Sequence, residues 1–266
     1  MVSYVDVHAH LESERFDGDL DEVIENAKKN DVLIVQSGVN PETNKKSLEL
    51  SKRYGIYCSF GLYPIDSIAV EFDGLKDDYV RDIEGFDFDS ELEWIKENKD
   101  NCVAIGEIGL DFKVIECDEK IKEAQVRCFE KAIDLAIKID KPIIIHSRGA
   151  ELEAIEILEK KNCKQVIMHC FSGRKSLIKR CADNGWFFSV PPIITRLQHF
   201  QTLVSLVSIE QLLTETDSPF LAPNVGERNE PANVKVSVCE IAKIKCISEE
   251  KVKEKIFNNF KELFLK

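Results

Sequence analysis

No apolar run in the 266 residues approaches the roughly 20 that a membrane span requires. The first residues also show no basic segment followed by an apolar one. Both absences lead us to expect a soluble, untargeted, cytoplasmic protein with no membrane contact and no obligate protein partner. Positive charge is in short supply as well, with 36 Lys and Arg against 48 Asp and Glu and a net charge of −12. Such a chain has no global field for holding polyanions, so any nucleic-acid contact must be local. The nine cysteines are odd in number, scattered, and never spaced as CxxC. That spacing excludes a zinc ribbon, and the count argues for free thiols in a reducing compartment rather than a disulfide framework. Histidine is the scarcest chemically versatile residue, at five, and two of the five sit one residue apart in MVSYVDVHAHLE, at His8 and His10.

What the chain does have is a rhythm. Short β-branched runs recur, each followed by a helical stretch: VDVHAH (5–10), VLIVQSG (32–38), IYCSFGLYP (56–64), CVAIGEIGLD (102–111), PIIIHSR (142–148), QVIMHCF (165–171), WFFSVPP (186–192) and QLLTETDSP (211–219). Between them, 20–30, 41–55, 118–140 and 150–162 carry apolar residues at three- and four-residue spacing, and 248–264 closes the series. Strands apolar on both faces, alternating with helices, imply a parallel sheet buried on both sides. Eight units in this length predict an α/β fold, a (β/α)8 TIM barrel forming one domain over 1–266, because no glycine-rich phosphate turn follows the first strand. The stretch 65–90 is acidic and too long for an ordinary connection, and reads as a solvated excursion near the barrel mouth.

In such a barrel, functional side chains gather at the C-terminal ends of the strands. His8 and His10, two apart on a strand, point the same way. The other strand ends supply Glu107, His146, His169 and Asp217. Four imidazoles and two carboxylates suit zinc, manganese, iron or nickel, and six donors exceed what one tetrahedral ion with an open position needs. Two metals bridged by a carboxylate are the natural count. His199, Asp111 and Glu116 fall outside this set, the first as a helical residue and the others as ordinary loop carboxylates.

The motifs DVHAHL (6–11), GEIGLDF (106–112), IIIHSR (143–148), HCFSG (169–173), LLTETDSPFLAP (212–223) and RNEPANV (228–234) resemble those of the TatD-type metal-dependent deoxyribonucleases, a family of amidohydrolase-like barrels, nearly end to end. The resemblance implies one metal on His8, His10 and Asp217, and a second on His146 and His169 with Glu107 bridging. It further implies hydrolysis of DNA phosphodiester bonds from a 3′ end, with two divalent ions (zinc, magnesium, manganese, iron or nickel) activating water. Asp217 and Glu107 are then the catalytic residues, Asp217 by taking the water's proton. Arg148 and Arg174 are the rim cations expected to meet phosphate, while Arg228 and Asn229 orient the loop or the substrate and Glu230 organises the loop.

One departure stands out. The family's histidine-rich GxHPH after the third strand reads GLYPID here, with Tyr63 and Ile65 in place of imidazoles. Tyr63 can donate a hydrogen bond to phosphate but cannot supply a cation. A barrel hydrolase of a small cyclic amide, lactone or organophosphate is the alternative. Many such relatives bridge their metals through a carboxylated lysine on strand 4, where this chain has Glu107. A binding protein on a catalytic scaffold is a third reading, which the full donor set disfavours.

Overall fold

In the computed structural model, which describes residues 2–72, 83–113 and 117–265, eight short strands form one parallel sheet in chain order. They are β1 (Tyr4–Ala9), β2 (Val32–Ser37), β3 (Tyr57–Leu62), β4 (Ala104–Gly109), β5 (Ile143–His146), β6 (Val166–Met168), β7 (Phe187–Val190) and β8 (Leu212–Thr214). The last returns to the first: Thr214 Oγ1 donates to the Val5 carbonyl, and Asp217 N and His10 N donate to His8 O and Ser218 O at 2.8 and 2.7 Å. This is the expected (β/α)8 barrel. Strand cores are buried on both faces, β4 along its whole AIGEIG length, which is why the runs read as continuously apolar.

Helices α1 (Leu20–Lys29), α2 (Pro41–Tyr54), α3 (Phe88–Glu97), α4 (Glu119–Lys138), α5 (Glu151–Lys160), α6 (Lys175–Asp183), α7 (Gln198–Leu206), α8 (Val234–Lys245) and α9 (Glu249–Phe264) surround the sheet. Their ends follow local chemistry. At α2 the Asn40 side chain accepts from Thr43 N while Thr43 Oγ1 accepts from Asn40 N, each at 3.0 Å, with Pro41 opening the helix and Gly55 closing it at φ 68°. The amphipathic stripe of α1 buries Val23, Ile24 and Ala27 against the first two strands. Rings of Phe60, Phe129, Trp186, Phe188 and Phe260 fill the space between sheet and helices, each contributing about 1.5–3 kcal/mol by leaving water.

Several boundaries differ from the sequence reading. The eighth strand ends at Thr214, and 215–219 leave the sheet to carry acidic side chains into the barrel mouth. The acidic excursion is solvated over much of its described part, with Val70, Glu71, Glu84, Asp87 and Asp89 exposed, but its two ends are anchored in the protein. Its first turn, Asp66–Ile68, is buried, with Asp66 accepting from Asn40 Nδ2 at 2.9 Å. Its end is the start of α3, whose Glu91 is buried and accepts from Asn44 Nδ2 at 2.8 Å. Residues 73–82 of that excursion, and Glu116, lie outside the described residues.

Candidate metal centre

The six donors named from the sequence meet at the C-terminal mouth. Glu107 lies within β4 rather than at its end, between two glycines that have no alternative. A Cβ on Gly109 (φ 149°) would stand 1.9 Å from the His146 carbonyl oxygen, and one on Gly106 2.6 Å from Ile144 Cβ. The bare backbone lets β4 and β5 close up at Gly109 and His146, which are register partners, and this brings Glu107 Oε1 to 2.6 Å from His146 Nδ1. On β1, His8 and His10 do share a face, their Nε2 atoms 3.0 Å apart.

Two donor groups result. In the first, Asp217 Oδ1 lies 3.6 and 3.4 Å from the Nε2 atoms of His8 and His10, and Glu107 Oε2 lies 3.4 and 3.8 Å from the same nitrogens. Ligands held about 2.0–2.1 Å from a tetrahedral ion stand about 3.3 Å from one another, so these atoms fit one divalent cation with little movement. In the second, the other oxygen of Glu107 faces His146 Nδ1 and, at 3.8 Å, His169 Nε2. The His8 and His169 rings are 3.9 Å apart between the two groups.

The nitrogens turned away from the centre decide what the others can do. His10 Nδ1 is 3.1 Å from the Ser37 carbonyl, which can only accept, so that nitrogen carries hydrogen and Nε2 faces the site. His169 Nδ1 reaches Glu215 Oε2 at 2.6 Å, and His146 Nε2 reaches Asp111 Oδ2 at 2.8 Å. His8 Nδ1 rests 3.0 Å from Ser37 Oγ. Each ring thus has an outward partner able to fix its tautomer and aim a lone pair inward, the usual support of metal-ligating histidines.

The charges follow from this packing. Burial would push Glu107 up, but the facing imidazolium of His146 and the bonds from His146 and His8 hold it well below the ordinary carboxylate range. Burial likewise opposes Asp217, which the His10 bond and the His169 charge keep low. His146 and His169 are raised to about 9, burial being outweighed by Glu107 and Asp111 around the first and by Glu215 around the second. His8, buried and beside His169, is lowered.

Sequence reasoning set Asp111 aside as a loop carboxylate, and the structure corrects this: it is fully buried and bonded to His146. Glu215, Ser37 and Glu12 were missed altogether; Glu12 Oε1 lies 3.5 Å from His10 Nδ1. The signal for the first existed, an acidic residue inside the apolar run QLLTETDSP. Tyr63 is 7% exposed, donates to Asp111 Oδ2 at 3.2 Å and stands edge-on to His146, behind that ligand rather than at the rim. Arg228 is bound elsewhere: its guanidinium is paired with Asp19 at 2.8 and 2.5 Å, donates to the Arg15 carbonyl at 2.6 Å and lies over Phe16. Asn229, buried, ties its loop to the Thr216 carbonyl. Arg148 and Arg174 are exposed, the first close enough to Cys170 for its charge to act on that thiol and the second opening α6. His199 bonds the Phe171 carbonyl away from the cluster.

The family model described as TatD related DNase matches residues 5–265. The chain belongs to that family. It is 39% identical over 263 residues to an uncharacterized metal-dependent hydrolase of Methanocaldococcus jannaschii, covering 99% of this chain and 97% of that one. It is 37% identical over 270 residues to the deoxyribonuclease TATDN3 of Homo sapiens, covering 100% and 96%. Among solved structures, the TatD homologue YJJV of Escherichia coli superposes with a TM-score of 0.83 at 23% identity over the whole of both chains. A TatD family hydrolase from Entamoeba histolytica gives 0.83 at 21%, over 98% of each; these two bear on the fold alone. The protein is a TatD-family metal-dependent hydrolase, and its His, Glu and Asp groups are able to bind metal.

Proposed function

We propose that this TatD-family hydrolase is a deoxyribonuclease that cleaves phosphodiester bonds from the 3′ end of single-stranded or frayed DNA, with two divalent ions per chain. The observation that carries the reading is the pair of donor groups sharing Glu107, each backed by outward partners that orient the rings. The name of the human relative supports DNA as substrate. His8, His10 and Asp217 would hold one ion and His146 and His169 the other, with one oxygen of Glu107 turned to each. Bound there, such ions acidify water toward neutrality and offset charge growing on phosphoryl oxygens. The chain's own part is to place and to move a proton. Asp217, which an adjacent divalent cation would keep ionised, accepts the proton of the attacking water as its oxygen bonds phosphorus and the P–O bond to the departing nucleotide breaks. Arg148 and Arg174 meet phosphate at the rim, and the few cations available favour a strand end over an extended duplex track. Nine free cysteines suit work in a reducing cytoplasm, and the whole chain acts as one domain.

The test is metal-reconstituted protein offered a 5′-labelled single-stranded oligonucleotide beside a panel of lactones and cyclic amides. A ladder shortening from the 3′ end is expected, abolished by chelator. Hydrolysis of a panel member with intact oligonucleotide would overturn the reading, and a ladder from a 3′ block-insensitive internal cut would overturn the exonucleolytic direction.

A further inference from the structure

The loops after β1 and β8 run side by side, joined by the bridge between Ala9 and Ser218. On the first, the turn Glu14–Phe16 is held rigidly: Ser13 caps it, Phe16 is fully buried, and Arg228 grips the Arg15 carbonyl while bound to Asp19. The Arg15 side chain is the part left over. It is exposed, and among the described residues it has no ion pair. Its guanidinium carbon lies 5.1 Å from the centre of the Phe220 ring, on the second loop. Phe220 is in turn fixed to the metal centre, its N–H donating to the Asp217 carbonyl at 2.8 Å. A cation held over an aromatic face, one turn of chain from a proposed metal ligand, is a place for a phosphate with an apolar neighbour.

We propose that Arg15 and Phe220 form the subsite for the nucleotide adjoining the scissile bond, Arg15 taking its phosphate and Phe220 meeting its sugar and base. The inference rests on the nuclease reading above. It also makes specific the loop-orienting role expected of Arg228, as the brace that positions Arg15. On a chain of net charge −12, an exposed guanidinium with no ion pair among the described residues is available to a phosphate, and neutralising one single-strand phosphate contributes about −0.7 to the log–log salt slope of binding.

The experiment compares parent, Arg15→Gln, Arg15→Lys and Phe220→Leu by fluorescence anisotropy of a short single-stranded oligonucleotide across a salt series. In parallel, kcat/KM is measured on that oligonucleotide and on bis-p-nitrophenyl phosphate, which has no adjoining phosphate. Arg15→Gln should make the salt slope shallower by about 0.7 and lower the ratio of oligonucleotide to minimal-ester kcat/KM by about fivefold, the upper end for one exposed ion pair. Arg15→Lys should restore the slope, and Phe220→Leu should lower the ratio by about threefold. An unchanged slope and ratio in Arg15→Gln, or a glutamine variant indistinguishable from the lysine one, overturns the subsite. A parent that binds the oligonucleotide without cutting it overturns the nuclease reading while the slopes still judge the subsite; one that does neither overturns both.

Discussion

Raising the pH from 7 to 9 should tighten divalent-metal binding steeply, because without metal the centre holds protons where ions would sit. Loading both proposed ions requires all four imidazoles to offer a lone pair. His146 and His169 resist this: burial favours the neutral ring, yet Glu107 and Asp111 raise the first to about 9, and Glu215 raises the second to about 9. His10 is raised well above its ordinary value, burial being overcome by Asp217 and Glu12. His8 is lowered and offers no resistance. Displacing a proton two pH units below a group's pKa costs about 2.7 kcal/mol, so His146 and His169 together weaken binding at pH 7 by up to about 5 kcal/mol if they titrate independently. The logarithm of the apparent affinity should therefore climb with a slope of about 2 to 3 per pH unit and flatten above pH 9. Mn2+ titrations against a competing chelator measure the slope, and calorimetry in two buffers of different ionisation heat counts the protons released. The stability of metal-free protein should move the opposite way. A histidine whose folded pKa is raised stabilises the fold fully below its unfolded pKa of about 6.5, and that stability is lost as pH rises through about 9. Melting temperatures at pH 6 and pH 9, with and without metal, should diverge accordingly. A metal-affinity slope below about 0.5, with no proton release, would refute the reasoning.

Replacing Glu107 by Gln should lower bound metal to one ion per chain or fewer and abolish turnover, since a neutral amide joins two cations poorly; elemental analysis of reconstituted protein decides it. Asp217→Asn should retain metal on His146 and His169 while lowering kcat on the order of 10²-fold, and turnover within a few-fold of the parent at saturating metal would exclude Asp217 as the proton acceptor. Tyr63→Phe removes the hydroxyl from Asp111 and should weaken the ion proposed on His146 and His169 by about tenfold, as loss of outer support does, read by chelator competition rather than by DNA binding. Gly109→Ala must displace the His146 carbonyl, 1.9 Å from the new methyl, and should cost more than about 2 kcal/mol in chemical denaturation.

The barrel was legible because its strands are apolar on both faces and its helices amphipathic, two periods that local sequence carries openly. The six convergent donors were legible for a related reason: polar residues at the ends of otherwise apolar strands have few uses. The supporting carboxylates were not. Asp111 looks like any loop aspartate until the chain curls it back to His146, and Glu215, although it stands out as an acid in an apolar run, shows its role only through its partner 46 residues earlier, His169. Arg228 was read as orienting its loop or the substrate, and its motif gives no hint of Asp19, 209 residues away. Long-range pairing of charged side chains has no local period to betray it.

The closure of the barrel sets an order of assembly. Asp6, buried next to His8, accepts from Thr216, 210 residues later, and Asp217 joins His8 and His10 by the same route. A ribosome making this chain would release the two histidines first and the third member of their set nearly last. On the proposed assignment, the ion on His8 and His10 would lack its Asp217 ligand until the chain after the final strand docks. The contact spans almost the full sequence, so on the proposed assignment that ion's ligand set would be completed only when the barrel closes.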